Sequence, residues 1–151
     1  MTEPLVFSFE VRCTQERAFE LWTNRIATWW PSDHTVSGRD DLSVVLESGV
    51  GGRIFERTPE GEEHDWGEVT AWEPPTQLSY LWHLRSDRSD ATSVTVRFVP
   101  KGPDDTTVHI EHDGWERLGV RAEDWRNRNS AGWQTLVPHY LIAASSLIKE
   151  K

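Results

Sequence analysis

Residues 65–82 read DWGEVTAWEPPTQLSYLW. Glu73-Pro74-Pro75-Thr76 divides this stretch in two. Two prolines fix φ and remove two backbone donors, so neither a helix nor a ladder runs through them. β-branched and aromatic residues alternate on either side. The spacing predicts two strands, over 64–72 and 77–84, joined by a turn. Leu78, Tyr80 and Trp82 share one face of the second strand, with Ser79 and His83 on the other. A face made of a leucine, a tyrosine and a tryptophan must lie against something large. What covers it bears directly on function.

The same period of two continues outward from this hairpin. Residues 92–99 place Val94, Val96 and Phe98 on one face and Ser93, Thr95 and Arg97 on the other. Residues 107–112 place Val108, Ile110 and His112 together. Strands are also expected over 6–11, 42–47 and 53–58, with turns at 59–61 and 100–105 and a polar loop over 85–91. Gly49-Val50-Gly51-Gly52 precedes a strand rather than a helix, so it reads as a hairpin turn and not as a phosphate cradle.

Helical spacing occurs twice. Thr14 caps a first helix, with Glu16 in its first turn where the dipole favours a carboxylate. Phe19, Trp22 and Ile26 form its buried stripe, widened by Ala18 and Leu21, and a short continuation over 26–30 stops at Pro31. A long helix is expected from about 129 to 147, capped by Asn129 or Ser130. Its stripe is Trp133, Leu136, Val137, Tyr140, Leu141, Ala144, Leu147 and Ile148. Pro138 inside it predicts a kink. Between strand and helix, 114–127 is polar with Trp115, Leu118 and Trp125 as landmarks, consistent with a loop carrying a short helix.

This order of elements argues α+β. The expectation is one domain over residues 1–151. A curved antiparallel sheet of about seven strands wraps around a long C-terminal helix, with two short helices after the first strand.

Composition excludes several function classes. The chain has 151 residues, a net charge of −9 and a pI near 5.1, which repels nucleic acid and anionic membrane surfaces. The N-terminal MTEPLVFSFEV has neither a basic region nor a long apolar run, so no signal peptide or membrane insertion is expected. A single cysteine, Cys13, fits a reducing cytoplasmic location. Tryptophan is abundant, at 9 residues, more than packing alone requires, so some are expected to line a pocket.

Several short motifs stand in a characteristic order. Gly51-Gly52-Arg53 is followed by Trp66-Gly67-Glu68-Val69, then Trp72-Glu73-Pro74-Pro75 and Leu78-x-Tyr80-x-Trp82. Thr92-x-Val94-x-Val96-x-Phe98, His112-x-Gly114-Trp115 and Gly132-Trp133-x-x-Leu136 complete the series. Over nearly its whole length the chain resembles the START-like, birch-pollen-allergen-like helix-grip (SRPBCC) superfamily. Within it, the resemblance is to the branch named after the activator of heat-shock protein 90 ATPase, in a bacterial-type single-domain form. The resemblance implies a helix-grip fold with a cavity between sheet and helix. The co-chaperones of this branch carry an extra N-terminal domain. Here the fold begins near Val6, so the expectation is against a chaperone partner.

Strand parity and helix spacing together nominate a cavity wall. It comprises Tyr80, Trp82, Val96, Phe98, Ile110 and His112 from the sheet, Trp133, Val137, Tyr140 and Leu141 from the helix, and Trp30 near the expected mouth. The mouth is expected near 29–30 and the 113–127 loop. The plainer reading is that these side chains simply fill a core. His112 is either a ligand anchor or acid–base group, or a buried histidine bonded to the protein. Glu56 either faces inward with Ile54, as a carboxylate of raised pKa, or lies in solvent while Phe55 faces in.

His64 and Asp65 alternate across a strand, so they form no dyad. His109 and His112 face opposite sides, and no Cys-x-x-Cys or His-Glu-x-x-His is present, so neither a metal nor another cofactor is expected. The expected function is binding of a small lipophilic or aromatic molecule. The alternatives are a cyclase- or hydrolase-type enzyme using His112 and Glu56, or a co-chaperone-like interaction module. A homodimer is compatible with the sequence.

Overall fold

Alternating residues pair up into seven strands, and the two apolar helical stripes pack on their inner face. The structure, a computed structural model, describes residues 3–84 and 88–146. The strands are β1 (Leu5–Val11), β2 (Ser43–Leu46), β3 (Arg53–Arg57), β4 (Glu63–Glu73), β5 (Gln77–Trp82), β6 (Thr92–Gly102) and β7 (Asp105–Asp113). They form one antiparallel sheet in the order β1-β7-β6-β5-β4-β3-β2. The first strand therefore pairs with the last, Leu5 opposite His112 and Val11 opposite Thr106. The sheet curves into a half-barrel around the long helix α2 (Ala122–Ser146), as expected for a helix-grip fold.

Between β1 and β2 the chain crosses the sheet's inner face. Thr14 caps α1 (Gln15–Trp22), its hydroxyl accepting from the Arg17 amide at 3.3 Å. Two 3₁₀ turns follow, Ile26–Thr28 and Ser32–His34. The hairpin read from the Pro74-Pro75 pair is present as β4 and β5, with Glu73 opposite Gln77. Gly67 leaves no room for a side chain against β5: a β-carbon there would lie 2.0 Å from the Leu81 carbonyl oxygen. That contact explains the glycine of the Trp66-Gly67-Glu68 motif in steric terms.

Two boundaries differ from expectation. β6 continues past Pro100 to Gly102, across an irregular register, rather than stopping at a turn. More consequentially, α2 begins at Ala122 rather than at a cap on Asn129 or Ser130. Glu123 and Asp124 occupy its first turn, where carboxylates favour the helix dipole. Asn129, taken as a cap, instead donates to the Trp125 carbonyl within the helix at 2.9 Å. The expected 113–127 loop is thus the end of β7, a 3₁₀ turn (Trp115–Arg121) and the first turns of α2.

The stripe of α2 faces the sheet through Ala122, Trp133, Leu136, Tyr140 and Ala144, all buried. Val137 and Leu141 are half-buried, while Leu147 and Ile148 lie outside the described residues. Among the described residues no helix is long and apolar enough to cross a membrane.

Candidate functional site

The interior between sheet and helix is filled, and α1 fills it. Its stripe residue Trp22 packs against Tyr140 at 4.9 Å between ring centroids and stacks on Trp133 at 6.1 Å. Phe19 meets Phe98 edge-on at 5.4 Å. Tyr80, Val96, Phe98, Ile110, His112 and Tyr140, all named as cavity wall from strand and helix spacing, are 2% exposed or less and sit behind these rings. These six side chains are therefore packed within the core. Parity shows which way a side chain points, but not what a third element inserts in front of it.

His112 shows how completely this region is closed. The indole N–H of Trp133 donates to its Nδ1 at 3.0 Å, which makes Nδ1 an acceptor and leaves the ring proton on Nε2. Nε2 then faces the Thr92 hydroxyl at 2.6 Å, and that hydroxyl in turn donates to the Trp82 carbonyl at 3.3 Å. Burial pushes the pKa of His112 down to about 3, so the ring is neutral. Both nitrogens are committed to the protein, and the plainer reading of His112 describes its geometry.

Glu56 does face inward with Ile54, but its chemistry is the reverse of that expected. Burial alone would raise its pKa. It is outweighed by the amides of Val36 and Ser37, donating at 2.6 and 3.0 Å, and by the Trp66 indole N–H at 2.8 Å. The carboxyl is held below its ordinary range and stays ionised. The other alternative, with Phe55 facing in and Glu56 in solvent, is not the arrangement found. Strand alternation leaves Phe55 on the outer face, where the Arg53 and Arg57 guanidinium groups cover it at 4.2 and 5.2 Å.

The open space lies on the other side of Trp133. A cleft of about 610 Å³ runs between the N-terminal half of α2, the end of β5 and the 3₁₀ turn Ser32–His34. Its apolar lining is Trp82, Leu84, Trp125, Trp133 and Leu136; its polar lining includes Asp33, His34, Arg128 and Asn129. A narrow recess of about 20 Å³, room for about one water molecule, adjoins it beside His83, Thr92 and Trp115. Of the eleven residues named from sequence, Trp82 and Trp133 line the cleft. Trp30 lies just behind, its ring 5.7 Å from that of Trp82.

The turn that carries Asp33 and His34 is held from several sides. Trp30 donates its indole N–H to the His34 carbonyl at 2.8 Å, and the Thr35 hydroxyl donates to the Ser32 carbonyl at 2.7 Å. Glu56 grips the next two amides. Its role in the fold is therefore to tie residues 36–37 to the sheet and so to place one wall of the cleft.

Asp33 and His34 were not singled out from sequence. Adjacent residues on a strand point to opposite faces, and only the 3₁₀ turn after Pro31 lets the two side chains meet, at 2.9 Å. From sequence, Trp125 stands only as a landmark of the 114–127 segment, and Arg128 falls between that segment and the expected helix start at 129. Among the described residues no group of three or more His, Cys, Asp or Glu side chains is arranged to hold a metal ion.

Comparison with known proteins agrees with this architecture. The chain is 32% identical to the anthrahydroquino-γ-pyrone synthase Txn09, over 82% of this chain and 84% of that one, with a TM-score of 0.60. CalC, a self-sacrificing resistance protein from Micromonospora echinospora, shares the fold at 24% identity over 95% of both chains, with a TM-score of 0.68. An HSP90 activator from Plasmodium falciparum shares it at 21% identity over 74% of this chain and 73% of that one, TM-score 0.53. A comparison with curated proteins gives no match. The family described as Activator of Hsp90 ATPase homolog 1-like protein matches residues 12–142, most of the chain. With the sheet order and the gripped helix in agreement, the chain belongs to the Activator of Hsp90 ATPase homolog 1-like family.

Proposed function

We propose that this protein binds a planar, polycyclic aromatic molecule in the cleft between β5 and α2. The observation that carries this reading is the convergence of three indoles, Trp82, Trp125 and Trp133, on one cleft of about 610 Å³. Ligand sites commonly span about 300–1,000 Å³ and combine apolar walls with a few polar groups. Flat indole faces favour a flat partner, because offset aromatic pairs contribute about 0.5–1.5 kcal/mol beyond their buried area. The likeness to an anthrahydroquino-γ-pyrone synthase supports fused aromatic rings as the ligand class.

The alternative enzyme reading loses the two groups on which it rested. His112 has no free nitrogen, and Glu56 is an anion saturated by protein donors. Among the described residues, the exposed large apolar side chains Val6, Val36, Val50, Val99, Val120 and Ile142 come from six different segments, so no single element presents an apolar face for a co-chaperone-like contact.

Titration with anthraquinone, followed by quenching of tryptophan emission, tests the proposal. Saturable binding that weakens in Trp125→Ala is the expected result. No binding at the solubility limit of the probe would overturn it.

A further inference from the structure

The polar side of the cleft brings a carboxylate and an imidazole together. Asp33 Oδ1 and His34 Nδ1 lie 2.9 Å apart. An ionised carboxylate can only accept, so Nδ1 carries the proton and Nε2 is left with its lone pair. Asp33 is ionised here: its hydrogen bond with His34 holds its pKa below the ordinary carboxylate value. No hydrogen-bond partner for Nε2 is found among the described residues.

That nitrogen borders α2 at the one position with no side chain. A β-carbon on Gly132 would lie 3.9 Å from both Nε2 and Cδ2 of His34. Glycine inside a helix costs about 1 kcal/mol relative to alanine. At this site it keeps the helix surface bare beside the imidazole. The other charged or titratable groups on this side come from α2. Arg128 lines the same cleft, paired with Asp124 at 3.2 Å and lying 5.3 Å above the Trp125 ring. His139 is close enough for its charge to act on Asp33.

We propose that His34, oriented by Asp33, accepts the proton of a weakly acidic phenolic or enolic hydroxyl on the bound aromatic molecule. The ligand O–H bond breaks, the proton moves to Nε2, and its electron pair stays on the ligand oxygen. The products are an aromatic oxyanion and an imidazolium whose Nδ1–H still faces the Asp33 carboxylate. Arg128 adds a second positive charge on the same side of the cleft. No oxidant or co-reactant is needed. The inference rests on the cleft-binding reading and narrows its ligand class to hydroxylated aromatics bound as anions. His34 is the group that touches the ligand, and Asp33 positions it.

The test uses 2-hydroxyanthraquinone, whose ionised form absorbs at longer wavelength than its neutral form, with unsubstituted anthraquinone as reference. Bound to the protein, the hydroxylated probe should ionise at least about one pH unit below the free probe, the scale of an adjacent opposite charge. His34→Gln, at saturating protein, should abolish that shift. Asp33→Asn should reduce it while melting near the wild-type temperature. If both probes bind and no shift appears, or if His34→Gln keeps the shift, proton transfer to His34 is overturned while cleft binding stands. If neither probe binds, both readings fall together.

Discussion

His112 and His34 lie on opposite sides of Trp133 and have opposite surroundings. His112 is fully buried, with one nitrogen bonded to the Trp133 indole and the other to Thr92. His34 has one nitrogen on Asp33 and the other beside Gly132 in the lining of an open cleft. The residue type is the same. What differs is how many partners the fold supplies, and that decides whether a histidine maintains structure or meets a ligand. Trp133 belongs to both sides, its N–H turned inward and its ring bordering the cleft.

The sharpest way to break this contrast is to truncate the inner histidine. His112→Ala should cost about 4 kcal/mol of stability, because it opens a cavity, strands the Trp133 indole donor and leaves the Thr92 hydroxyl oxygen without the N–H it accepts. Thermal or urea unfolding measures that loss. Anthraquinone affinity at a temperature where the variant is folded should change less than about threefold. A small stability loss with a large affinity loss would move His112 to the ligand side. Glu56→Gln comes next, at about 3 kcal/mol, since an amide cannot satisfy three donors as a carboxylate does. Because Glu56 also holds the turn bearing His34, this variant should weaken cleft binding as well as lower the melting temperature. His112→Ala should not.

The third effect is one of pH. The folded pKa of His112 is about 3, below the ordinary histidine value near 6.5. Above that ordinary value both states are neutral and no stability is lost. Below it the unfolded chain takes up a proton that the folded one refuses. Stability should therefore fall by about 1.4 kcal/mol per pH unit, or about 2 kcal/mol between pH 6.5 and 5. Chemical denaturation across this range should show the slope in wild type, and His112→Gln should flatten it. Glu56, whose pKa is lowered, adds its own loss only as pH drops below the ordinary carboxylate range. The smallest effect belongs to the rim. Trp125→Ala should weaken anthraquinone about tenfold, or about 1.4 kcal/mol, with little change in melting. An unchanged affinity would place the ligand elsewhere.

The sheet was legible because its signals are local. The Pro74-Pro75 turn, the alternation of Val94, Val96 and Phe98, and the stripe from Trp133 to Ala144 each follow from residues close together in the chain. The cleft was not, because it is made by relations between distant segments. Trp22 fills the expected cavity from a helix more than fifty residues before β5. Asp33 meets His34 only through a 3₁₀ turn, and that turn is anchored by Glu56, a strand residue read as a chemical group. The early start of α2 put Trp125 and Arg128 on a helix face that the expected start near 129 left out. Face and period could be read from residue types, whereas occupancy required the assembled molecule.

The pairing of β1 with β7 has a consequence for how the protein folds. Leu5 cannot find its neighbour until His112 exists, and α2 has still to follow. During synthesis the opening strand must wait unpaired while the hairpins from β2 to β6 assemble by short-range steps. Contacts of such long sequence separation are paid for in loop-closure entropy before they return anything, which slows the final step. The alternating polar residues Ser8 and Glu10 on that waiting strand reduce its tendency to pair with a strand from another chain. The β1–β7 seam, and the packing of Trp133 from α2 over His112, should thus be the last contacts to form.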